Sequence, residues 1–178
     1  MNNLSKLIAS NTEDGIVDLK NVVRTLGVRI SFCDTMKDLC VIKIQGAKEG
    51  DDVHPAIILK KGLSQEESCT FIAISLAEYI LTYERVRDGG IRYDIFFLNG
   101  IHQQRYSYRL LLATRLAMSE DVITLFNQGS PSCEKYKEYL PYIPEFLRSC
   151  IPGHSASFLL SNFADDKFPV IQMLKRIA

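Results

Sequence analysis

The sequence carries no net charge: 21 Lys and Arg residues cancel 21 Asp and Glu residues across 178 positions. A protein that holds nucleic acid by neutralising phosphates normally has a basic excess, so direct nucleic-acid binding is disfavoured. There is no unbroken apolar run of the roughly 18 residues that a membrane span needs. The amino terminus, MNNLSKLIASNTEDG, lacks the basic flank and long apolar stretch of a secretion signal. No two of the five cysteines (Cys33, Cys40, Cys69, Cys133, Cys150) stand at CxxC spacing, so neither a zinc ribbon nor a redox dithiol is signalled. His54, His102 and His154 have no metal-ligand spacing among them and read as surface or loop residues. Repeats and low-complexity linkers are missing too. These absences predict a cytoplasmic protein with reduced thiols and no cofactor.

What is present is globular. Hydrophobic residues make up 47% of the chain and charged residues 24%, at a mean hydropathy of +0.01. A chain of this length buries roughly 70% of its unfolded surface, so it needs neither disulfide nor metal for stability. Leu4 to Ile8 predicts a short helix. Ile16, Leu19, Val22, Val23 and Leu26 recur at helical spacing around Asp18 and Asn21, and Gly27 closes that segment as a C′ residue. Val28 to Phe32 alternates with period two, and 39–44 and 56–59 read as two more strands, joined by the turn-rich stretch 46–52.

Ser64 and Glu67 form a capping box that opens a helix reaching to about Arg85. Its apolar residues fall on nearly every side, which predicts a central helix packed on more than one face. Residues 92–98 (RYDIFFL) are ambiguous between strand and helix. Gln104 to Ala117 reads as a further helix, and Ser119 caps a short one beginning Glu120-Asp121. Beyond it, Pro131, Pro141, Pro144, Pro152 and Pro169 break the chain into short helices. The expected fold is α+β: a small three-stranded sheet, antiparallel or mixed, packed on a central buried helix. A core domain over 1–128 would carry a helical extension over 129–178.

The order helix, Leu26-Gly27-Val28, strands, Ile57-Ile58-Leu59-Lys60, then a long buried helix resembles the ImmA/IrrE family of small zinc metallopeptidase-like domains. In that family the helix carries Phe-x-x-Ala-His-Glu-x-x-His. Here it reads Phe71-Ile72-Ala73-Ile74-Ser75-Leu76-Ala77-Glu78-Tyr79, and Leu116-Ala117-Met118-Ser119 stands where the family has Leu-Leu-Met-Pro. The resemblance covers roughly residues 16–125. It implies a zincin-like scaffold, found in bacteria, prophages and mobile elements, that acts on or beside transcriptional repressors.

Two histidines at i and i+4 of a helix hold one zinc, with the intervening glutamate as base. The matching positions here are Ser75, Leu76 and Tyr79, so all three groups are missing. Glu78 lies about 100° around the helix from the neighbouring Tyr79 and does not replace the base. Residues 95–119 contain no acid to serve as third ligand; Tyr106 and Tyr108 fall near that place. The resemblance therefore implies a pseudo-metallopeptidase without zinc or catalysis. Its former active-site groove, lined by Ser75, Leu76, Tyr79 and Tyr106, would bind a repressor or other regulatory protein. Arg105 and Arg109, at i and i+4, offer a contact for a partner's carboxylates or a phosphate, or simply a solvated helix face. Two alternatives stand beside this reading. One is a metal-dependent or thiol hydrolase assembled only in three dimensions, for instance from Cys150 and His154. The other is a DNA-binding regulator using a basic face of Arg24, Arg29, Lys60 and Lys61.

Overall fold

A computed structural model describes residues 3–37, 40–44, 55–89, 93–96 and 108–127. The chain begins with α1 (Asn3–Ala9), which buries Leu4, Leu7 and Ile8 at helical spacing. Its last carbonyls are taken up by side chains: Asn11 Nδ2 donates to Leu7 O at 2.8 Å and Thr12 Oγ1 to Ile8 O at 2.7 Å. A two-stranded hairpin follows, β1 (Thr12–Glu13) and β2 (Ile16–Val17), paired antiparallel. Asp14 and Gly15 form its two-residue loop at φ 50° and 81°, the left-handed pair that matches the twist of a tight hairpin. Ile16 therefore belongs to a strand, and the second helix, α2 (Leu19–Thr25), starts three residues later than the spacing predicts. Asp18 caps it, its carboxylate accepting from the Asn21 N–H at 3.1 Å.

α2 ends as Gly27 requires. Gly27 sits at φ +69°, its N–H donating to Arg24 O and the Val28 N–H to Val23 O, while Val23 and Val28 are both buried. That is a Schellman turn with its apolar clasp. A Cβ at Gly27 meets nothing within 4 Å, so the cost of Gly27→Ala is backbone strain alone. We expect a loss of about 1 kcal/mol, read as a melting temperature lower by roughly 2–4 °C.

The turn feeds β3 (Arg29–Cys33), the first strand of a four-stranded sheet completed by β4 (Cys40–Ile44), β5 (Ala56–Lys60) and β6 (Tyr93–Phe96). The order is β3-β5-β4-β6. β3 pairs parallel with β5, whereas β4 pairs antiparallel with both β5 and β6. The sheet is thus mixed, with the three expected strands present and the ambiguous segment 92–98 supplying a fourth. Ile57 and Leu59 of β5 alternate inward, and the register sets Ile42 and Cys40 of β4 beside them.

That inward face meets α3 (Gln65–Gly89). The capping box is present: the Ser64 N–H donates to Glu67 Oε2 at 2.8 Å and the Glu67 N–H to Ser64 Oγ at 3.1 Å. Residues 71–80 are all buried, because α3 packs on the sheet, on α2 and on α4 (Tyr108–Ala117) at once. α4 was expected from Gln104; residues 104–107 lie outside the described ones. α5 (Glu120–Asn127) opens on Ser119, whose hydroxyl accepts from the Val122 N–H and donates to Gly15 O at 3.1 Å, tying helix start to hairpin loop. Arg115 of α4 is buried to 2% exposure, and its guanidinium joins three parts of the chain. It donates to Ser5 Oγ of α1 at 3.0 Å, to Met118 O at 3.2 Å and to Glu120 Oε1 of α5 at 2.9 Å. The extension expected over 129–178 lies outside the described residues. Among the described residues no helix is long and apolar enough to cross a membrane.

Candidate functional site

The positions that match the zinc motif are in the interior. Ser75, Leu76 and Tyr79 are all buried on α3, inside the packing of sheet and helices. Ser75 turns its hydroxyl toward the sheet, 3.4 Å from Cys40 Sγ of β4. Burial pushes that thiol up to about 12, the contact with Ser75 offsetting only part of the effect. A thiol held neutral in this way is a poor nucleophile at neutral pH. Among the described residues no three His, Cys, Asp or Glu side chains stand together as a metal site. The groove expected along Ser75, Leu76 and Tyr79 is therefore not an open surface among the described residues, since neighbouring elements fill it. Tyr106 and Arg105 lie outside the described residues, as do His54, His102, Cys150 and His154. Arg109 is the second residue of α4.

The basic residues named for a DNA-binding face lie on α2 and on the β3–β5 part of the sheet. Arg29 opens β3 opposite Ala56, whereas Lys60 ends β5 opposite Cys33. Four residue steps, about 13 Å, separate the two ends. Lys61 beside Lys60 is paired with Asp34 at 2.8 Å, and Arg24 donates to Asn21 Oδ1 at 2.7 Å. By register Arg29 and Lys60 share the outward face of the sheet, opposite to the buried Ile57 and Leu59.

An open concave surface lies on the other side of α2. Its floor is the inward face of β3 and β5, with Val28, Ile30, Phe32 and Leu59; its walls are α2 with the β1–β2 hairpin and the first turns of α3. The groove encloses about 1130 Å³. Phe32 stands 56% exposed on it, the one large hydrophobic residue so placed among the described residues. Register explains why. Phe32 pairs with the buried Leu59 and so points to the core side, but β3 is an edge strand of the sheet. The hairpin brings three exposed carboxylates to the rim, Glu13, Asp14 and Asp18, against the ammonium of Lys20 and the guanidinium of Arg24. Cys69 lines the α3 wall; burial raises its thiol and nearby Lys20 partly offsets this.

Neither this groove nor its rim is marked by a sequence motif. The Asp14-Gly15 dipeptide was the available signal, being the strongest short hairpin cue when strand-forming residues flank it. The alternation of Ile30 and Phe32 marks one strand face but not its exposure.

No family model, curated protein or solved structure matches the chain.

The thiols provide a direct check on the geometry. Cys33 ends β3 at the surface, where hydrogen bonds from Thr35 hold its pKa below the ordinary thiol value. Of the three described cysteines, a maleimide at pH 7.5 should modify Cys33 first, Cys69 more slowly, and Cys40 only when the domain unfolds, as read by mass spectrometry of each peptide. Cys40 also predicts a pH dependence. Below pH 9 its thiol is protonated folded or unfolded; above it the unfolded thiol ionises while the folded one stays neutral toward pH 12. Stability therefore falls with rising pH in this window, by up to about 1.4 kcal/mol per pH unit from this group. Urea titrations of the wild type and Cys40→Ala at pH 8 and 10.5 test it: the variant should lose less stability between the two.

Proposed function

We propose that this protein is a non-enzymatic regulatory interaction domain, which works by holding another protein in the groove between α2, β3 and α3. The observation that carries this reading is Phe32, a large apolar side chain left more than half exposed at an apolar-floored concave surface. Exposed aromatics at concave sites are the usual anchors of protein interfaces, because they bury much area at little entropic cost. The resemblance of 16–125 to ImmA/IrrE-like domains, with histidines and base replaced by Ser75, Tyr79 and Leu76, supports a pseudo-metallopeptidase of prophage or mobile-element origin. The partner it suggests is a transcriptional repressor or another regulatory protein met in the cytoplasm.

The test is to express the tagged full chain in its native host and compare the proteins bound by wild type and Phe32→Asp. Phe32 rather than Tyr79 is the residue to change, since truncating the buried Tyr79 disturbs the core. Equal melting temperatures would show that Phe32→Asp leaves the fold intact. A transcription regulator should be captured by the wild type and reduced about tenfold or more by Phe32→Asp. No Phe32-dependent partner, or purified protein that holds close to one equivalent of zinc and hydrolyses peptides, would overturn the reading.

A further inference from the structure

The free edge of β3 meets the groove at one residue. In a parallel ladder, the main-chain groups of alternate residues face alternate sides. The Arg29 N–H bonds Pro55 O and Cys33 O accepts from the Lys61 N–H, so residues 29, 31 and 33 turn their backbone toward β5. The N–H and C=O groups of Ile30 and Phe32 consequently face the open edge, with no further strand beyond β3 among the described residues. Of the two, Phe32 is exposed and Ile30 half-buried, and no described strand pairs with this edge. At Phe32, backbone groups without a strand partner among the described residues coincide with an exposed aromatic ring.

Charge narrows what fits there. Residues of the hairpin and of the start of α2 line the same concave surface as Phe32. The rim carries Glu13, Asp14 and Asp18 against Lys20 and Arg24, an excess of one negative charge. Among the described residues no cation pairs with Glu13 or Asp14.

We infer that the occupant is an extended segment of a partner protein that adds to β3 as a fifth strand. It is apolar at every second position, to cover Phe32 and reach the groove floor, and basic where it passes the hairpin. Strand addition takes affinity from main-chain bonds and specificity from alternate side chains. The inference rests on the reading of the groove as a protein-interaction site and adds to it the chemistry of the bound segment.

A random dodecapeptide display library, selected on the full chain and counter-selected on Phe32→Asp, supplies the probe. Enriched peptides should alternate apolar residues and carry Lys or Arg near one end. Made synthetically with a fluorophore, they should bind about tenfold more weakly to the Glu13→Gln, Asp18→Asn double variant, and the difference should shrink between 50 and 300 mM salt. Asn at position 18 keeps the helix cap. N-methylation separates a strand from a helix. Methylating the alternate residues whose N–H groups meet β3 should cost about thirtyfold, while methylating the other set is tolerated. A consensus at helical spacing, an acidic consensus, or equal sensitivity to both methylated sets overturns the strand proposal while leaving a Phe32-dependent interaction site in place. A library that yields no Phe32-dependent peptide also counts against it; if in addition no partner in the host depends on Phe32, the interaction reading falls as well.

Discussion

Rebuilding a zinc motif on α3, with Ser75→His, Leu76→Glu and Tyr79→His together, unfolds the domain and does not load it with metal. Leu76 has no exposed surface, so the new carboxylate enters a dry interior, at a cost of several kcal/mol unless a cation meets it. The Ser75 site is equally closed, and forcing an imidazole into packed space costs about 1–3 kcal/mol more. The sum is comparable with the whole stability of a domain, about 5–15 kcal/mol. Zinc would offset it only through a complete ligand set. Residues 95–119 contain no acid, and no described cluster supplies a third ligand. Circular dichroism and metal analysis of the triple variant decide the matter. Loss of the cooperative melt with less than about a tenth of an equivalent of zinc is the expected result. A folded variant holding one zinc would mean that the interior around Ser75 and Tyr79 is a vacated metal site in working order. Ser75→Ala is the control: losing one contact to Cys40 should cost about 1 kcal/mol.

Arg115→Ala should be the most damaging single truncation of a charged residue. Burial disfavours the charge on Arg115, and the attraction of Glu120 offsets only part of that. The side chain is nevertheless hard to remove, because its stem fills core volume and its guanidinium satisfies Ser5, Met118 O and Glu120 together. Truncation leaves a void and a buried carbonyl without its donor. Glu120 is 52% exposed and rehydrates, which places the cost near the low end for a buried pair, about 3 kcal/mol. Thermal melts should show a drop of roughly 6–12 °C. Arg115→Met keeps the volume and should lose less than half as much. Glu120→Gln should lose less than about 1 kcal/mol, since Glu120 itself is half exposed and the Gln side-chain oxygen can still accept from Arg115. If Glu120→Gln proved as harmful as Arg115→Ala, the ion pair itself would be the main contribution and the packing account would fail.

Local signals in the sequence carried most of the elements. The Ser64–Glu67 box, Gly27 after α2 and Ser119 before α5 each mark a helix end through a bond made within a few residues, so they are readable without the fold. The three strands over 28–60 were legible for the same reason. The hairpin was not, because Ile16 stands three residues before Leu19 and fits helical spacing as well as it fits a strand. The site was the least legible part. When all of 71–80 is apolar or small apart from Ser75, Glu78 and Tyr79, periodicity does not say which side faces outward, and here no side does. The groove depends on where the hairpin, α2, β3 and α3 come together, and Phe32 is exposed only because its strand is outermost. Strand order is set by pairing between distant segments, which no local pattern encodes.

The position of β5 has a consequence for how the chain is made. β3 and β4 both emerge from the ribosome before β5, yet in the finished sheet neither touches the other and each is paired to β5. Until residues 56–60 are translated, neither strand has its β5 neighbour, and a premature β3–β4 hairpin is the nearest wrong pairing open to them. Long-range parallel pairing forms slowly, and unpaired strand edges are the species that aggregate. Expression yield should therefore respond to the speed at which the 45–60 stretch is synthesised, and mutations in β5 should be felt first as insoluble nascent chains.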